Sequence, residues 1–262
     1  MNNRKVTRQA IIESFTNILK PLEYVHALWE AGAGAFNRID TWSDIDLYVV
    51  VDDECVERAV REIERAVRSI AEYDLTFRLP EPAWHGHSQV FYRLKNASPF
   101  LLLDVAIMKR SSRNKFLEYK IHGVPIVYFD KTGIVRDDPV DADAFLEKLK
   151  ERLETMRTTF PMFFVFTLKE LNRGHDMTAL SCYMNYAMRP LIELLRIKYS
   201  PYHYDFHTYY IDYELPPEIV KRLRALFYVA RPREIRSSLS EVERWFTEEI
   251  ESIDIEEVKR RL

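Results

Sequence analysis

AGAGAFNRIDTWSDIDLYVVV, residues 31–51, decides how the rest of this chain is read. It opens on a glycine-containing turn after an apolar run and closes on two aspartates at the head of a β-prone run. Successive side chains of a strand point to opposite faces, so Asp44 and Asp46 share one face at about 7 Å between Cα atoms. Ile45 and Leu47 point the other way, into apolar packing. Two like charges about 4 Å apart at an effective dielectric of about 20 cost roughly 4 kcal/mol. A divalent cation removes that cost, and hard oxygen ligands together with substrate phosphates suit magnesium. A bare D-x-D is more often a turn or capping device, so the neighbouring signals carry the weight.

Two such signals are present. Gly32 and Gly34 permit a tight turn whose backbone N–H groups face an anion. Far downstream, PFLLLDVAIM, residues 99–108, is a near-continuous apolar run that reads as a buried strand with one charge, Asp104. A lone carboxylate there must be paired, neutralised or metal-bound. If this strand lies beside the Asp44 strand, three carboxylates converge.

This arrangement resembles the DNA polymerase β-like nucleotidyltransferase superfamily. Its signature is a hydrophobic residue, Gly-Gly or Gly-Ser, a spacer of roughly ten residues, Asp-x-Asp or Asp-x-Glu, and a third acid on a later strand. Ala31-Gly32-Ala33 occupies the glycine element, ten residues intervene, Ser43-Asp44-Ile45-Asp46-Leu47 forms the acidic element, and Asp104 matches the third acid. Ala33 is a departure: the family's serine hydroxyl is missing there, although a backbone N–H remains. The resemblance implies catalytic and metal-binding roles for Asp44, Asp46 and Asp104, two Mg2+ (or Mn2+) ions, and nucleotide contacts from Gly32, Ala33, Gly34 and Ser43. It implies transfer of a nucleoside monophosphate, AMP from ATP, with release of pyrophosphate.

The 262 residues suit one large or two modest domains. Hydrophobic residues make up 47%, enough for a core; charged residues make up 30% and nearly balance at a net charge of −3. That balance argues against nucleic acid as the main partner. Cys55 and Cys182 read as reduced thiols of a cytoplasmic protein. The polar start, MNNRKVTRQ, shows neither a signal peptide nor a membrane span.

Along the chain, helical spacing covers Val6–Leu19, Tyr24–Glu30 reads as a strand, and Ala35–Thr41 reads as a short helix aimed at the glycine turn. Arg38 in that piece is either a phosphate contact or a solvated arginine. Asp52 or Asp53 is expected to cap a helix whose stripe is Val56, Val60, Ile63, Val67 and Ile70. Strands follow over Leu75–Leu79 and Ser88–Leu94. Between them Trp84 and the His85-x-His87 pair are candidates for substrate contact or for an ordinary loop. Lys109 and Arg110 end the Asp104 strand and either face phosphate or are solvated. Ser112–Tyr119 reads as a helix, and Ile126–Phe129 as a strand before a D-K-T-G turn.

An acidic, proline-marked stretch, RDDPVDAD, then marks a junction, and the rest is helical in pattern. Pro161 is expected to kink or restart the first of these helices, and Gly174 to cap it. Thr178–Tyr199 is expected to be the longest helix, bent at Pro190. Pro217 opens a further helix, and one last helix carries Leu239 to Ile250. The tyrosine-rich stretch 199–213 is either a loop pinned by its rings or a surface that grips an amphipathic acceptor.

The expected class is therefore α+β: a small mixed β-sheet nucleotidyltransferase domain with flanking helices over 1–139, then an all-α helical bundle over 140–262 that receives the acceptor. In layout this resembles the aminoglycoside and lincosamide nucleotidyltransferases, which implies a small-molecule hydroxyl as acceptor, of the antibiotic-modifying kind. Glu170, Asp176 and Glu193 are the candidate general bases, and the sequence does not choose among them. A nucleotide-binding pseudo-enzyme, or a nucleotidyltransferase acting on protein or RNA, are the alternatives. Oligomeric state is not encoded in any feature of the sequence.

Overall fold

The computed structural model describes residues 6–262; the polar start Met1–Lys5 lies outside them. The chain divides into two compact units, one ending at Pro139 and one beginning at Val140. The whole is α+β, with a six-stranded mixed sheet in the first unit and helices throughout the second.

The first unit contains α1 (Arg8–Leu19), β1 (Val25–Glu30), α2 (Gly32–Ala35), β2 (Ile45–Val51), α3 (Val56–Ile70), β3 (Tyr73–Arg78), β4 (Ser88–Leu94), β5 (Leu102–Lys109), α4 (Tyr119–His122) and β6 (Ile126–Asp130). The sheet order is β3-β4-β5-β2-β1-β6. Only the central pair, β2 and β5, runs parallel; the other neighbours are antiparallel. A parallel pair needs a long crossover, and here α3 and the β3–β4 hairpin supply it.

The alternation of β2 and β5 divides the sheet into two faces. Ile45, Leu47, Val49, Val51, Leu103, Val105 and Ile107 belong to the main core, packed under Ile11, Phe15 and Leu19 of α1 and Ile63 and Val67 of α3. Thr7 caps α1, its side chain accepting from the Ala10 N–H at 3.2 Å. The opposite face carries Asp46, Asp104 and a smaller apolar cluster of Ala27, Trp29, Val50, Ala106, Met108 and Leu117.

Several local expectations are corrected. The residues GAGA themselves form α2, and the helix expected over Ala35–Thr41 is absent. Asn37 takes φ +54°, which stops a helix, and Asp40 folds the next residues into a turn by accepting from Trp42 N–H at 2.9 Å. Neither Asp52 nor Asp53 caps α3. Asp52 binds His26 Nε2 at 2.6 Å, Asp53 accepts from Ser111 N–H at 3.0 Å, and a short 3-10 turn over Asp53–Cys55 leads in. The helix expected over Ser112–Tyr119 is irregular backbone until α4 begins.

The second unit contains α5 (Ala142–Arg173), α6 (Asp176–Tyr183), a π-helical turn (Met184–Met188), α7 (Arg189–Tyr199), α8 (Ile211–Glu214), α9 (Pro217–Phe227), α10 (Pro232–Ser252) and α11 (Ile255–Arg261). α5 is the longest described helix, at 32 residues, and runs through Pro161 without a break. Gly174 ends it at φ +75° with its N–H on Leu171 O at 3.2 Å, a left-handed cap. The helix expected over Thr178–Tyr199 is interrupted by the π turn. Pro190 lacks an N–H and its ring clashes with the carbonyl four residues back, and the wider turn absorbs both effects. α11 was not expected. The core of this unit is drawn from Leu149, Leu153, Met156 and Phe160 of α5, Leu191, Leu194 and Leu195 of α7, and Leu239, Val242, Trp245 and Phe246 of α10.

Among the described residues no helix is long and apolar enough to cross a membrane.

Candidate active site

Asp46 and Asp104 are register partners on the parallel strands β2 and β5. Neighbouring strands lie about 4.8 Å apart, and both side chains stand on the sheet face that α1 and α3 leave uncovered. Asp44 precedes the first residue of β2, and its backbone carbonyl accepts from Arg8 Nη1 at 2.6 Å.

Crowding shows in the proton affinities. Burial, then Asp44, Asp104 and Glu30, raise the Asp46 carboxyl to about 7, against the partial relief of Arg8. Burial raises Asp104 to about 6, with Asp44 adding to the rise and the Gln89 hydrogen bonds opposing it. Burial also pushes the Tyr48 hydroxyl up, with Asp46 and Asp104 contributing. Tyr48 stands two residues beyond Asp46 on the same face, against Trp29 and Phe116. Such a set fits a divalent cation by its chemistry: hard oxygen donors whose mutual repulsion a positive charge would relieve. The set is open rather than closed. Among the described residues, the trio whose ligand atoms all lie within 4.8 Å of one another is Asp52, Glu54 and Cys55. That trio lies past the far end of β2, away from Asp46.

The glycine turn lies directly on the acids. A Cβ at Gly32 would be 1.8 Å from Asp46 Oδ2, and the residue holds φ +52°. Ala31 N–H donates to the Asp46 carbonyl at 2.9 Å, which ties the turn to β2. A Cβ at Gly34 would be 2.6 Å from Glu30 Oε1. Ala33 sits between the two, in the first turn of α2, where N–H groups have no partner within a helix. The Ser43 hydroxyl is engaged inside its own loop, donating to Asp40 Oδ1 at 3.0 Å and accepting from Asp40 N–H at 2.9 Å.

Sequence reasoning missed Arg8, Glu30 and Gln89. Glu30 is 1% exposed, paired with Arg8 and hydrogen-bonded by the Tyr128 hydroxyl. Its signal was present: a single carboxylate closing the apolar run VHALWE, the same anomaly that marks Asp104. Gln89 Nε2 donates to both Asp104 oxygens at 2.8 Å. Gln89 Oε1 lies 3.0 Å from His85 Nε2, and His85 Nδ1 accepts from the His87 N–H at 3.1 Å, so His85 Nε2 carries the proton. His85 thus supports Asp104 through Gln89. His87 is buried, its pKa lowered to about 4 by desolvation, then by His85 and Lys115. Trp84 is 88% exposed.

The remaining candidates lie elsewhere. Lys109 pairs with Val51, at the other end of the strands from Asp46 and Asp104, and serves no phosphate beside those acids. Arg38 stacks over Phe36, 5.0 Å from the ring centroid. In the helical unit Glu170 pairs with Arg173 and His175, Glu193 with Arg152, and Asp176 opens α6. The tyrosine-rich stretch is held by Arg196, fully buried, which donates to the carbonyls of His207 and Tyr209 and to Glu214. The segment is pinned both by this arginine and, as expected, by its own rings: Tyr202 and Tyr204 pack on Phe145 of α5, with centroids 5.2 and 6.2 Å away.

No protein-family model and no curated protein matches the chain. Among solved structures it is similar to an aminoglycoside 6-adenyltransferase from Bacillus subtilis, at 11% identity over 94% of this chain and 89% of that one, with a TM-score of 0.36. It is similar to a nucleotidyltransferase-like protein from Exiguobacterium sibiricum, at 11% identity over 91% and 75%, with a TM-score of 0.40. A third similar structure is the STING-associated CdnE c-di-GMP synthase from Capnocytophaga granulosa, at 16% identity over 96% and 85%, with a TM-score of 0.30. None of these three likenesses exceeds a TM-score of 0.40, so what the chain does is argued from its own acids.

Proposed function

We propose that this protein is a metal-dependent nucleotidyltransferase that moves a nucleoside monophosphate, AMP from ATP, to a hydroxyl of a small molecule. The observation that carries this reading is the register of Asp46 with Asp104 across two parallel strands, with Asp44 beside them and Gly32 pressed against Asp46. Asp44, Asp46 and Asp104 would hold divalent cations, which supply charge neutralisation at the triphosphate and polarise the attacking hydroxyl. In the transfer, the acceptor oxygen bonds to the α-phosphorus, the bond from that phosphorus to the β-phosphate oxygen breaks, pyrophosphate leaves, and the hydroxyl proton passes to a base. The chain itself contributes placement. Gln89 orients Asp104, the Arg8–Glu30 pair braces the strand that leads into the turn, and Gly32, Ala33 and Gly34 offer backbone N–H groups to the phosphates. In this reading residues 1–139 form the catalytic domain and residues 140–262 receive the acceptor.

The test is incubation of the full chain with labelled ATP, Mg2+ or Mn2+, and a broad panel of hydroxyl acceptors, reading AMP transfer and pyrophosphate release. Asp44→Asn and Asp104→Asn are each expected to lower transfer roughly a hundredfold or more. Nucleotide binding without turnover across the panel, or full activity in Asp104→Asn, overturns the reading. Labelling of tRNA or of a co-purified protein redirects the acceptor.

A further inference from the structure

The helical unit holds a cavity of about 630 Å3 beside its π-helical turn, lined in part by Arg152, Tyr186, Arg189, Glu193, Tyr204 and His207. Its wall collects features that are individually costly to fold. The π turn itself is a rare backbone form found frequently at functional sites, and it carries Tyr186. Glu193 is 8% exposed and is held by Arg152, Nε to Oε1 at 2.5 Å and Nη2 to Oε2 at 2.8 Å. His207 adopts φ +52°, a region that non-glycine residues rarely occupy. Its Nδ1 is buried without a hydrogen-bond partner. Strain of this kind persists only where the surrounding structure over-determines it, and it concentrates at ligand clamps.

Beside these features stands one positioned cation. Arg189 Nη2 lies 2.8 Å from His207 Nε2. A guanidinium only donates, so Nε2 accepts and the imidazole proton sits on Nδ1. The arginine is thereby fixed by an uncharged acceptor. Asp205 also lines the cavity, but among the described residues neither it nor any other carboxylate is paired with Arg189, whereas Arg152 has its charge answered by Glu193. A guanidinium that is positioned but not neutralised is a receptor for an external oxyanion. Tyr186 and Tyr204 add flat apolar surface to the same wall.

We propose that this cavity binds a small ring-bearing molecule through its acidic group, a phosphate or carboxylate, with Arg189 as the anion contact and His207 as its positioning residue. This assignment concerns binding only and holds whether or not the sheet unit is catalytically active.

The test is isothermal titration of the full chain with phenyl phosphate, with benzoate and inorganic phosphate as comparison probes. Arg189→Gln is expected to weaken phenyl phosphate roughly tenfold or more. Because Arg189 is exposed, that variant should keep its fold, as circular dichroism would verify. His207→Ala is expected to weaken binding in part, and His207→Gln, which retains an acceptor, to restore some of it. No binding at millimolar phenyl phosphate, or equal binding by Arg189→Gln, overturns the proposal. Inorganic phosphate binding as tightly as phenyl phosphate overturns the part assigned to the tyrosines.

Discussion

A methyl group on residue 32 would fall 1.8 Å from a carboxylate oxygen of Asp46, at a backbone angle that side chains avoid. Gly32→Ala therefore combines backbone strain with a displaced acid. It is expected to lower stability by about 2 kcal/mol and to abolish transfer, checked by urea unfolding and pyrophosphate release. The same acids set a pH dependence. The Asp46 carboxyl is raised from 3.8 to about 7 and that of Asp104 to about 6. Between the ordinary and the raised values the folded chain binds more protons than the unfolded one, so folding stability falls as pH rises. In chelator-treated protein these two groups should be stabilising below about pH 4 and lose that contribution by pH 7–8. The melting temperature should accordingly drop across that window, and added Mg2+ or Mn2+ should restore more at pH 8 than at pH 5. A melting temperature insensitive to both pH and metal would contradict this account. Asp104 was legible because it is a lone charge in an apolar run, and Gly32, Asp44 and Asp46 because of the spacing between the glycine turn and the paired acids. Gln89 was not, since an uncharged polar residue at the start of a strand has no local peculiarity; its role exists only through the register of β4 with β5.

Elements were legible where one periodicity dominated and were lost where side chains compete for the backbone. α1, α3 and β5 follow from their apolar spacing. Ser112–Tyr119 has helical spacing, yet Ser112 Oγ binds the Asn114 carbonyl at 3.0 Å, Asn114 Oδ1 accepts from Phe116 N–H at 3.1 Å, and Phe116 takes φ +55°. Such local bonds offer the chain an alternative to a helix. The opposite misjudgement concerns α5, where Pro161 reads as a breaker and the helix continues. Its flanking turns pack Met156, Phe160 and Phe164 into the core, and that burial outweighs one missing hydrogen bond. Pro161→Ala should restore the bond at an exposed position and stabilise the chain by about 1–3 kcal/mol, read as an upward shift in the urea midpoint. Arg8→Ala acts on an element pair instead. It strands Glu30 in the interior where β1 meets the glycine turn and should cost about 3 kcal/mol in the same measurement.

At the scale of the whole molecule, the chain passes from the first unit to the second through an acidic, largely exposed stretch around Asp137 to Asp141. Limited proteolysis should cut there first, leaving a fragment from about Val140 that keeps its helical circular dichroism; initial cleavage within α5 would contradict a separable helical unit. The composition shift at that stretch was visible in the sequence, whereas the π turn was not, because it arises from how α6 and α7 accommodate Pro190. The parallel pairing of β2 with β5 has a further consequence, which concerns time. During synthesis Asp44 and Asp46 leave the ribosome well before Asp104, and α3 and the β3–β4 hairpin must emerge in between. A nascent chain therefore lacks the third carboxylate until most of its first unit has been made, and cannot capture a metal with the complete set before the sheet's central seam has closed.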